Sequence, residues 1–324
     1  MKALVTGGTG FVGSHLVEAL RRGGHEVTAL VRSPAKARAL GPDVRLVGGD
    51  LDATAALEQA AAGQDVIFHV AGLVAARSEA EFLACNRDGT ANLLAAAARV
   101  GTPRFVLVSS MAAGGPARPG APLRGDEPPR PVTQYGRSKL AAEEVVRRGP
   151  LPWTIVRPPT VYGPRDREVL KVFRLARSGV APVFGDGTQE LSAVYAPDLA
   201  EALIAAAASP AAECRIYYAC HPEIVTSAEF ARAVCRAVRG AAATPRVVGI
   251  PFPVARAALW CTGTAARIAG RATILTVDKA NEFFQAAWTG DPSPLTRDTG
   301  WRAAHDLAAG LEATAAWYRA AGWL

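Results

Sequence analysis

Tyr135-Gly136-Arg137-Ser138-Lys139 sets a phenol and an amine four residues apart, a spacing that puts both side chains on one face of a helix within reach of a shared ligand. A phenol with an ordinary pKa of about 10 is a poor base at neutral pH. An ammonium beside it stabilises the phenolate and draws that pKa toward the working range, which makes Tyr135 a candidate general acid/base. Upstream by roughly 25 residues, the apolar run Val106-Leu107-Val108 ends in Ser109-Ser110. Strand ends are where open α/β sheets carry their active groups, and a Ser110 hydroxyl there is suited to hydrogen-bond a reacting oxygen. Singly, a Tyr/Lys pair is an ordinary helix surface and paired serines an ordinary turn or N-cap. In this order, behind the turn described next, they form one constellation.

Thr6-Gly7-Gly8-Thr9-Gly10-Phe11-Val12-Gly13 follows one apolar run and opens another. Gly7, Gly10 and Gly13 permit a tight turn and close approach of backbone to a pyrophosphate, and the helix start at Gly10, Phe11 and Val12 supplies N–H groups and partial positive charge. The pattern predicts a dinucleotide cofactor. At the end of the second run, where an acidic residue would hold the ribose diol of NAD, stand Arg32-Ser33. Arginine pairs with a 2′-phosphate, so the reading favours NADP, with NAD as the alternative. Lys36 and Arg38 add positive charge nearby. Asp50-Leu51 ends the third run, where a carboxylate can accept from the adenine amino group or N-cap the helix from Ala53 onward. The turn at Val70-Ala71-Gly72 is expected beside the cofactor ribose.

The elements that must position these groups alternate along the chain. Apolar runs at residues 2–6, 26–31, 44–47, 66–70, 105–109 and 154–157 are separated by helical patterns at 13–22, 53–61, 87–100 and 135–148. Such alternation predicts βαβ units and an α/β, Rossmann-type doubly wound parallel sheet. Residues 114–131, rich in proline and glycine, read as a long loop where α/β proteins place ligands. A helix over 198–208 and a strand near 216–219 return to the sheet. The expected organisation is a dinucleotide-binding domain of residues 1–164 plus about 192–220. A smaller substrate-binding domain takes 165–191 plus about 221–324.

Composition narrows the alternatives. At 324 residues, half of them hydrophobic and a fifth charged, the chain can bury a large core without external staples. Cys85, Cys214, Cys220, Cys235 and Cys261 are scattered, with no Cys-x-x-Cys pair, which fits reduced thiols in a cytoplasm. The net charge of +7 comes mainly from arginines spread along the chain; no basic stripe interleaved with aromatics argues for nucleic acid. Stretches such as 199–208 and 259–269 are too short to cross a bilayer, and the amino terminus leaves no room for a secretory signal. His15, His69 and His305 are scattered and predict no metal.

These motifs together resemble the extended short-chain dehydrogenase/reductase superfamily, which includes NAD-dependent epimerase/dehydratases, dihydroflavonol reductases and 3β-hydroxysteroid dehydrogenases. The likeness spans nearly the whole chain and includes Gly49-Asp50-Leu51, Asn86 with Gly89-Thr90-Ala91-Asn92, and Arg157-Pro158-Pro159-Thr160-Val161-Tyr162-Gly163-Pro164. It implies a catalytic Ser110, Tyr135 and Lys139 supported by Asn86. It also implies Lys139 on the nicotinamide ribose, backbone near Pro158 and Val161 against the nicotinamide amide, and in many members a homodimer. Two departures bear on substrate: Thr160 stands where nucleotide-sugar members carry an asparagine, and Leu191 where they carry an arginine for the phosphates. Losing that cation removes a contact worth about 1.5 to 3 kcal/mol. Ile250-Pro251-Phe252-Pro253 and the tryptophans at 288, 301, 317 and 323 resemble the steroid and flavonol branch. They either build a large apolar pocket or simply pack the small domain.

The reading is therefore an enzyme interconverting a secondary alcohol and a ketone on a bulky, largely apolar small molecule by hydride transfer. A nucleotide-sugar epimerase or dehydratase is the alternative. An NADP-sensing regulator is the third reading, disfavoured by an intact acid/base set.

Overall fold

Strands β1 (Lys2–Thr6), β2 (Glu26–Val31), β3 (Arg45–Gly48), β4 (Val66–His69), β5 (Arg104–Val108), β6 (Trp153–Arg157) and β7 (Arg215–Tyr218) form one sheet in the order β7-β6-β5-β4-β1-β2-β3. Every neighbouring pair is parallel. The computed structural model describes residues 1–324, except the side chains of Pro34, Lys36 and Arg38. The charges expected at Lys36 and Arg38 thus lie outside the described residues. Parallel strands covered on both faces read as continuous apolar runs, and all four residues of β4 are buried. Each strand expected from the sequence is present, with ends shifted by one residue at most sites.

Helices α1 (Phe11–Arg22), α2 (Thr54–Ala61), α3 (Gly89–Val100), α4 (Gln134–Arg148) and α5 (Ala196–Ala208) cover the two faces. Leu16, Leu20, Leu199 and Leu203 pack with Val5 and Val106 on one side, while Leu57, Leu93, Ala142 and Val146 pack with Leu4 and Phe105 on the other. The chain order reverses between β1 and β4, and the crevice at such a switch point is where open α/β sheets take their ligands. One departure from the helical pattern lies at that crevice. The turn Ala84–Asp88 is a π-helix leading directly into α3, an irregularity that re-aims the side chains it carries, Asn86 among them.

Residues beyond β6 build a third core. Helix Val169–Ala176, a parallel pair of strands at Val180–Phe184 and Arg246–Ile250, and helices α6 (Ser227–Arg239), α7 (Phe252–Ile268), α8 (Val277–Phe283) and α9 (Leu307–Ala320) contribute to it or flank it. The aromatic carboxyl end is packing. Trp323 stacks on Tyr318 at 6.0 Å, and Phe173 meets Tyr318 edge-on at 5.1 Å. Trp301 is buried against the sheet core. The one tryptophan that lines the cleft described below is Trp260.

Between β5, β6, β7 and α4 lies a buried ion pair. The Arg157 guanidinium donates to both carboxylate oxygens of Glu143, at 2.9 and 2.6 Å, and also to the Tyr218 hydroxyl at 3.2 Å. The Ser109 hydroxyl donates to the same carboxylate at 2.5 Å. The side chains are 3% and 1% exposed. Burial works against the guanidinium charge, yet the bidentate carboxylate overrides it and holds the Arg157 pKa above its usual range. Removing one partner of such a pair leaves an uncompensated buried charge. Glu143→Ala is therefore expected to lose about 3 to 5 kcal/mol of unfolding free energy, measured by urea denaturation; a loss under 1 kcal/mol would contradict this account of the pair.

Candidate active site

Tyr135 is the second residue of α4. Thr133 caps that helix by accepting from the Gly136 N–H at 3.1 Å, and a Cβ at Gly136 would meet the Ala112 carbonyl oxygen at 2.4 Å. Gly136 thus lets α4 press against the short helix Met111–Gly114 that follows β5. Ser110 caps that helix, accepting from the Ala112 N–H at 3.1 Å, and its hydroxyl is brought to the Tyr135 phenol. Of the paired serines, Ser109 turns inward to Glu143 and Ser110 turns to the phenol.

Burial pushes the phenol pKa up to about 12, the Ser110 hydrogen bond pulling it down and Glu282 adding to the rise. The expected lowering of the phenol by Lys139 is not what the structure shows. The Lys139 amine is buried one helical turn on and donates to the Val108 carbonyl at 2.7 Å. Burial holds its pKa down to about 8, with Glu143 and Cys85 opposing. Desolvation outweighs attraction for both groups, so the phenol stays protonated and the amine, though easier to deprotonate than usual, is still mostly charged at neutral pH.

Asn86 is buried and holds backbone. Its Oδ1 accepts from the Leu73 N–H at 2.7 Å, and its Nδ2 donates to the Leu73 carbonyl at 3.1 Å and to the Ser138 hydroxyl at 2.9 Å. Ser138 in turn donates to the Tyr135 carbonyl at 2.8 Å. A Cβ at Gly72 would lie 3.0 Å from Asn86 Oδ1 and 3.6 Å from Lys139 Nζ. The turn after β4, the π-helix and the start of α4 are therefore locked together.

Behind this cluster runs a chain of hydrogen bonds that sequence reasoning set aside with its histidine. The Ala71 N–H donates to Thr6 Oγ1 at 3.2 Å, Thr6 Oγ1 lies 2.7 Å from His69 Nδ1, His69 Nε2 lies 3.0 Å from Thr90 Oγ1, and the Thr90 hydroxyl donates to the Asn86 carbonyl at 2.5 Å. Because Thr90 spends its own proton on Asn86, His69 Nε2 carries a proton, and in the neutral ring Thr6 donates to Nδ1. Burial, then the Lys139 charge, lower its pKa to about 3. No local pattern marks a histidine at a strand end as the strut between two cofactor loops.

The residues expected to hold a dinucleotide sit around the switch point. Gly7 has φ of 71°, and a Cβ there would lie 2.7 Å from the Ala71 amide nitrogen. At Gly13 a Cβ would lie 2.2 Å from the Gly7 carbonyl oxygen. Gly10 caps α1 with no side-chain hydrogen bond, so the first-turn N–H groups of Phe11 and Val12 have no side-chain cap and suit an anion. This cradle fits a pyrophosphate. Arg32 is exposed at the end of β2, and among the described residues no carboxylate pairs with it. Asp50 is exposed, and Leu51 packs under Gly89. Asp50 does not cap α2, whose N-cap is Ala53; its carboxylate accepts from the Asp52 N–H at 3.0 Å instead. Pro158 is buried with its carbonyl accepting from the Met111 N–H at 2.9 Å, and Val161 pairs with Val194. Among the described residues no group of three His, Cys, Asp or Glu is placed to hold a metal.

Helix α8 reaches the site from far along the chain. Asp278 accepts from the Gln134 N–H at 3.0 Å, and Glu282 accepts from the Thr133 hydroxyl at 2.6 Å. Lys279 pairs with Glu282, its ammonium 5.6 Å over the Tyr135 ring. Beside it opens a cleft of about 320 Å³, lined by Val74, Phe82, Leu259, Trp260 and Ile274 and also by Arg77, Arg267, Arg271 and Lys279, with Tyr135 on its lining. Thr276 and Asp278 mark a helix start in sequence, but nothing local says which helix it will cap.

Residues 3–219 match the family model described as the NAD dependent epimerase/dehydratase family. A ceramide reductase of Caulobacter vibrioides is 34% identical over 322 residues, 99% of this chain and 95% of that protein. A 3 beta-hydroxysteroid dehydrogenase/Delta 5-->4-isomerase of Mycobacterium tuberculosis is 31% identical over 260 residues, 73% of this chain and 69% of that protein. The solved structure of MoeE5 in complex with UDP-glucuronic acid and NAD superposes with a TM-score of 0.77 at 27% identity, covering 99% of this chain and all of that one.

A neutral buried imidazole makes stability depend on pH. With its folded pKa lowered from 6.5 to about 3, His69 takes its proton first in the unfolded chain, so its contribution is whole above pH 6.5 and lost as pH falls. The stability difference between the wild type and His69→Gln should therefore shrink below pH 6.5 by about 1.4 kcal/mol per unit. Urea denaturation of both proteins from pH 7 to 5 measures it, and a constant difference would contradict a neutral His69.

Proposed function

This chain belongs to the NAD dependent epimerase/dehydratase family and is an enzyme of the extended short-chain dehydrogenase/reductase type, and from that premise we propose that it interconverts a secondary alcohol and a ketone on a bulky, largely apolar substrate. The observation that carries the reading is the cleft at Tyr135, whose lining sets an apolar wall of Val74, Phe82, Leu259, Trp260 and Ile274 beside the charged Arg77, Arg267, Arg271, Asp278 and Lys279. Leu191, at the position where a phosphate-binding cation would stand, pairs between Val225 and Trp288 and packs against the third core. Relatives named for ceramide and for a steroid support the same substrate class. The lining comes from residues 259–279, from the start of α4 and from the segment that carries Val74 and Phe82; we assign the first of these to the substrate-binding domain of residues 165–191 plus about 221–324.

In this proposal the first-turn amides of α1 and the glycines at 7, 10 and 13 hold the pyrophosphate. Ala71, Asp50 and Leu51 border the adenosine half, Arg32 holds a 2′-phosphate, and Pro158 and Val161 border the nicotinamide. When bound, the nicotinamide supplies or accepts the hydride. Ser110 hydrogen-bonds the substrate oxygen, and Tyr135 gives up its phenolic proton to that oxygen as the carbon is reduced, or recovers it in the reverse direction. A phenol held protonated at rest suits the first of these, ketone reduction. Lys139, its pKa lowered to about 8 by burial yet still mostly charged at neutral pH, binds the ribose and offsets the charge left on the phenolate. Asn86 acts through backbone, holding Leu73 and Ser138 in register.

Tyr135→Phe should lower turnover by about 10²- to 10⁴-fold while the dissociation constant for NADPH, read by fluorescence titration, stays within about twofold. Retained turnover would remove Tyr135 from the chemistry. Arg32→Glu should shift the ratio of kcat/KM values for NADPH and NADH toward NADH by roughly 10- to 100-fold. An unchanged ratio would show that Arg32 does not read the 2′-phosphate.

A further inference from the structure

Helix α7 turns an apolar face outward. Of its 17 residues only Ala255 and Leu259 are buried. The outer stripe is Val254, Ala257, Cys261, Ala265 and Ile268, a spacing of three or four residues that places them along one side of the helix; all five are exposed. Val254 is 58% and Ile268 83% exposed, and Trp260 at the border of the stripe is 61% exposed. A helix with an apolar stripe in water, opposite a stripe already buried, has a face without a partner.

The charge along this stretch of chain is one-sided. From Phe230 to Val277 the chain has seven arginines and no aspartate or glutamate. The other 29 basic residues are matched by the 29 acidic ones, so the whole net charge of +7 resides in this stretch, even though arginines are spread along the chain. Arg256 and Arg267 are exposed on α7, and Arg271 follows just beyond its end. A second copy of this chain would bring the same arginines against them, so the face selects an anionic partner with an apolar interior. Among the described residues no helix is long and apolar enough to cross a membrane. At about 26 Å, with Trp and Arg bordering an apolar stripe, α7 has the make-up of a helix that lies in a bilayer interface.

We propose that the outer face of α7 docks on a bilayer surface carrying anionic lipid, the arginines meeting headgroups and the stripe entering the acyl boundary. Leu259, Trp260 and Arg267 also line the cleft at Tyr135, so docking sets the cleft mouth at the lipid. The docking itself is independent of the catalytic proposal, and its test uses no activity.

Flotation of the full chain with vesicles of phosphatidylcholine alone, and with phosphatidylglycerol added, tests it. Binding is expected only to the anionic vesicles and should weaken with salt. It should fall by roughly tenfold in each of Val254→Asp and Ile268→Asp, and by about fivefold for each of Arg256→Gln and Arg271→Gln. Circular dichroism of the same variants reports that the fold is kept. No flotation with either vesicle overturns the proposal, as does flotation that these substitutions leave unchanged. A wild-type dimer that does not float and that Val254→Asp converts to monomer, read by light scattering, overturns it in favour of a second copy on this face.

Discussion

The carboxylate of Glu143 sits in the interior between a helix and three strands, and it is tolerated there because donors meet it from two of those strands. Arg157 comes from β6 and Ser109 from the end of β5, while Tyr218 of β7 holds the far side of the same guanidinium. A charge in a low-dielectric interior is stable only when each of its neighbours is in place, so the pair fixes where α4 lies on the sheet edge. Everything at the site inherits that position. Tyr135 and Lys139 ride on α4, Ser110 directly follows the serine that Glu143 captures, and Pro158 follows the arginine.

A second set of buried polar contacts performs the same task on the cofactor side. The run from Ala71 through Thr6, His69 and Thr90 to Asn86 ties the phosphate turn to the loop after β4 and to the π-helix. Asn86 then passes to Ser138 on α4. The two networks thus meet on one helix. Directional hydrogen bonds in a dry interior hold such a geometry more tightly than apolar packing does, and a reaction that needs a proton donor at the oxygen and a hydride source at the carbon of one carbonyl depends on that tightness.

The sheet and the phosphate turn were legible because their signals are local. A strand buried on both faces must be an apolar run, and a turn that presses Gly13 onto Gly7 admits no side chain. The placement of Tyr135 and Lys139 on one helix was legible because they lie one helical turn apart. What the sequence could not convey comes from distant parts of the chain or from dielectric. Asp278, Lys279 and Glu282 reach the start of α4 across more than a hundred residues. The raised phenol and lowered amine reflect burial that no spacing reports. His69 looked idle because a buried strut has no motif, and of the two roles open to Asp50 the cap falls away because the helix begins four residues later, at Thr54.

The cleft at Tyr135 joins an apolar wall to arginines at 77, 267 and 271, and the proposed substrate, bulky and largely apolar, rests on that wall. The central claim is that a protonated Tyr135 and a bound nicotinamide act together on a ketone carbon in that cleft. Incubating the enzyme with 4-deuterated NADPH and a panel of bulky apolar ketones, and locating the label by mass spectrometry, tests it most directly. The account predicts deuterium on the carbinol carbon of the product with one cofactor consumed per turnover. A chain that leaves every such ketone unlabelled, yet inverts a nucleotide sugar with no net cofactor consumption, would contradict it.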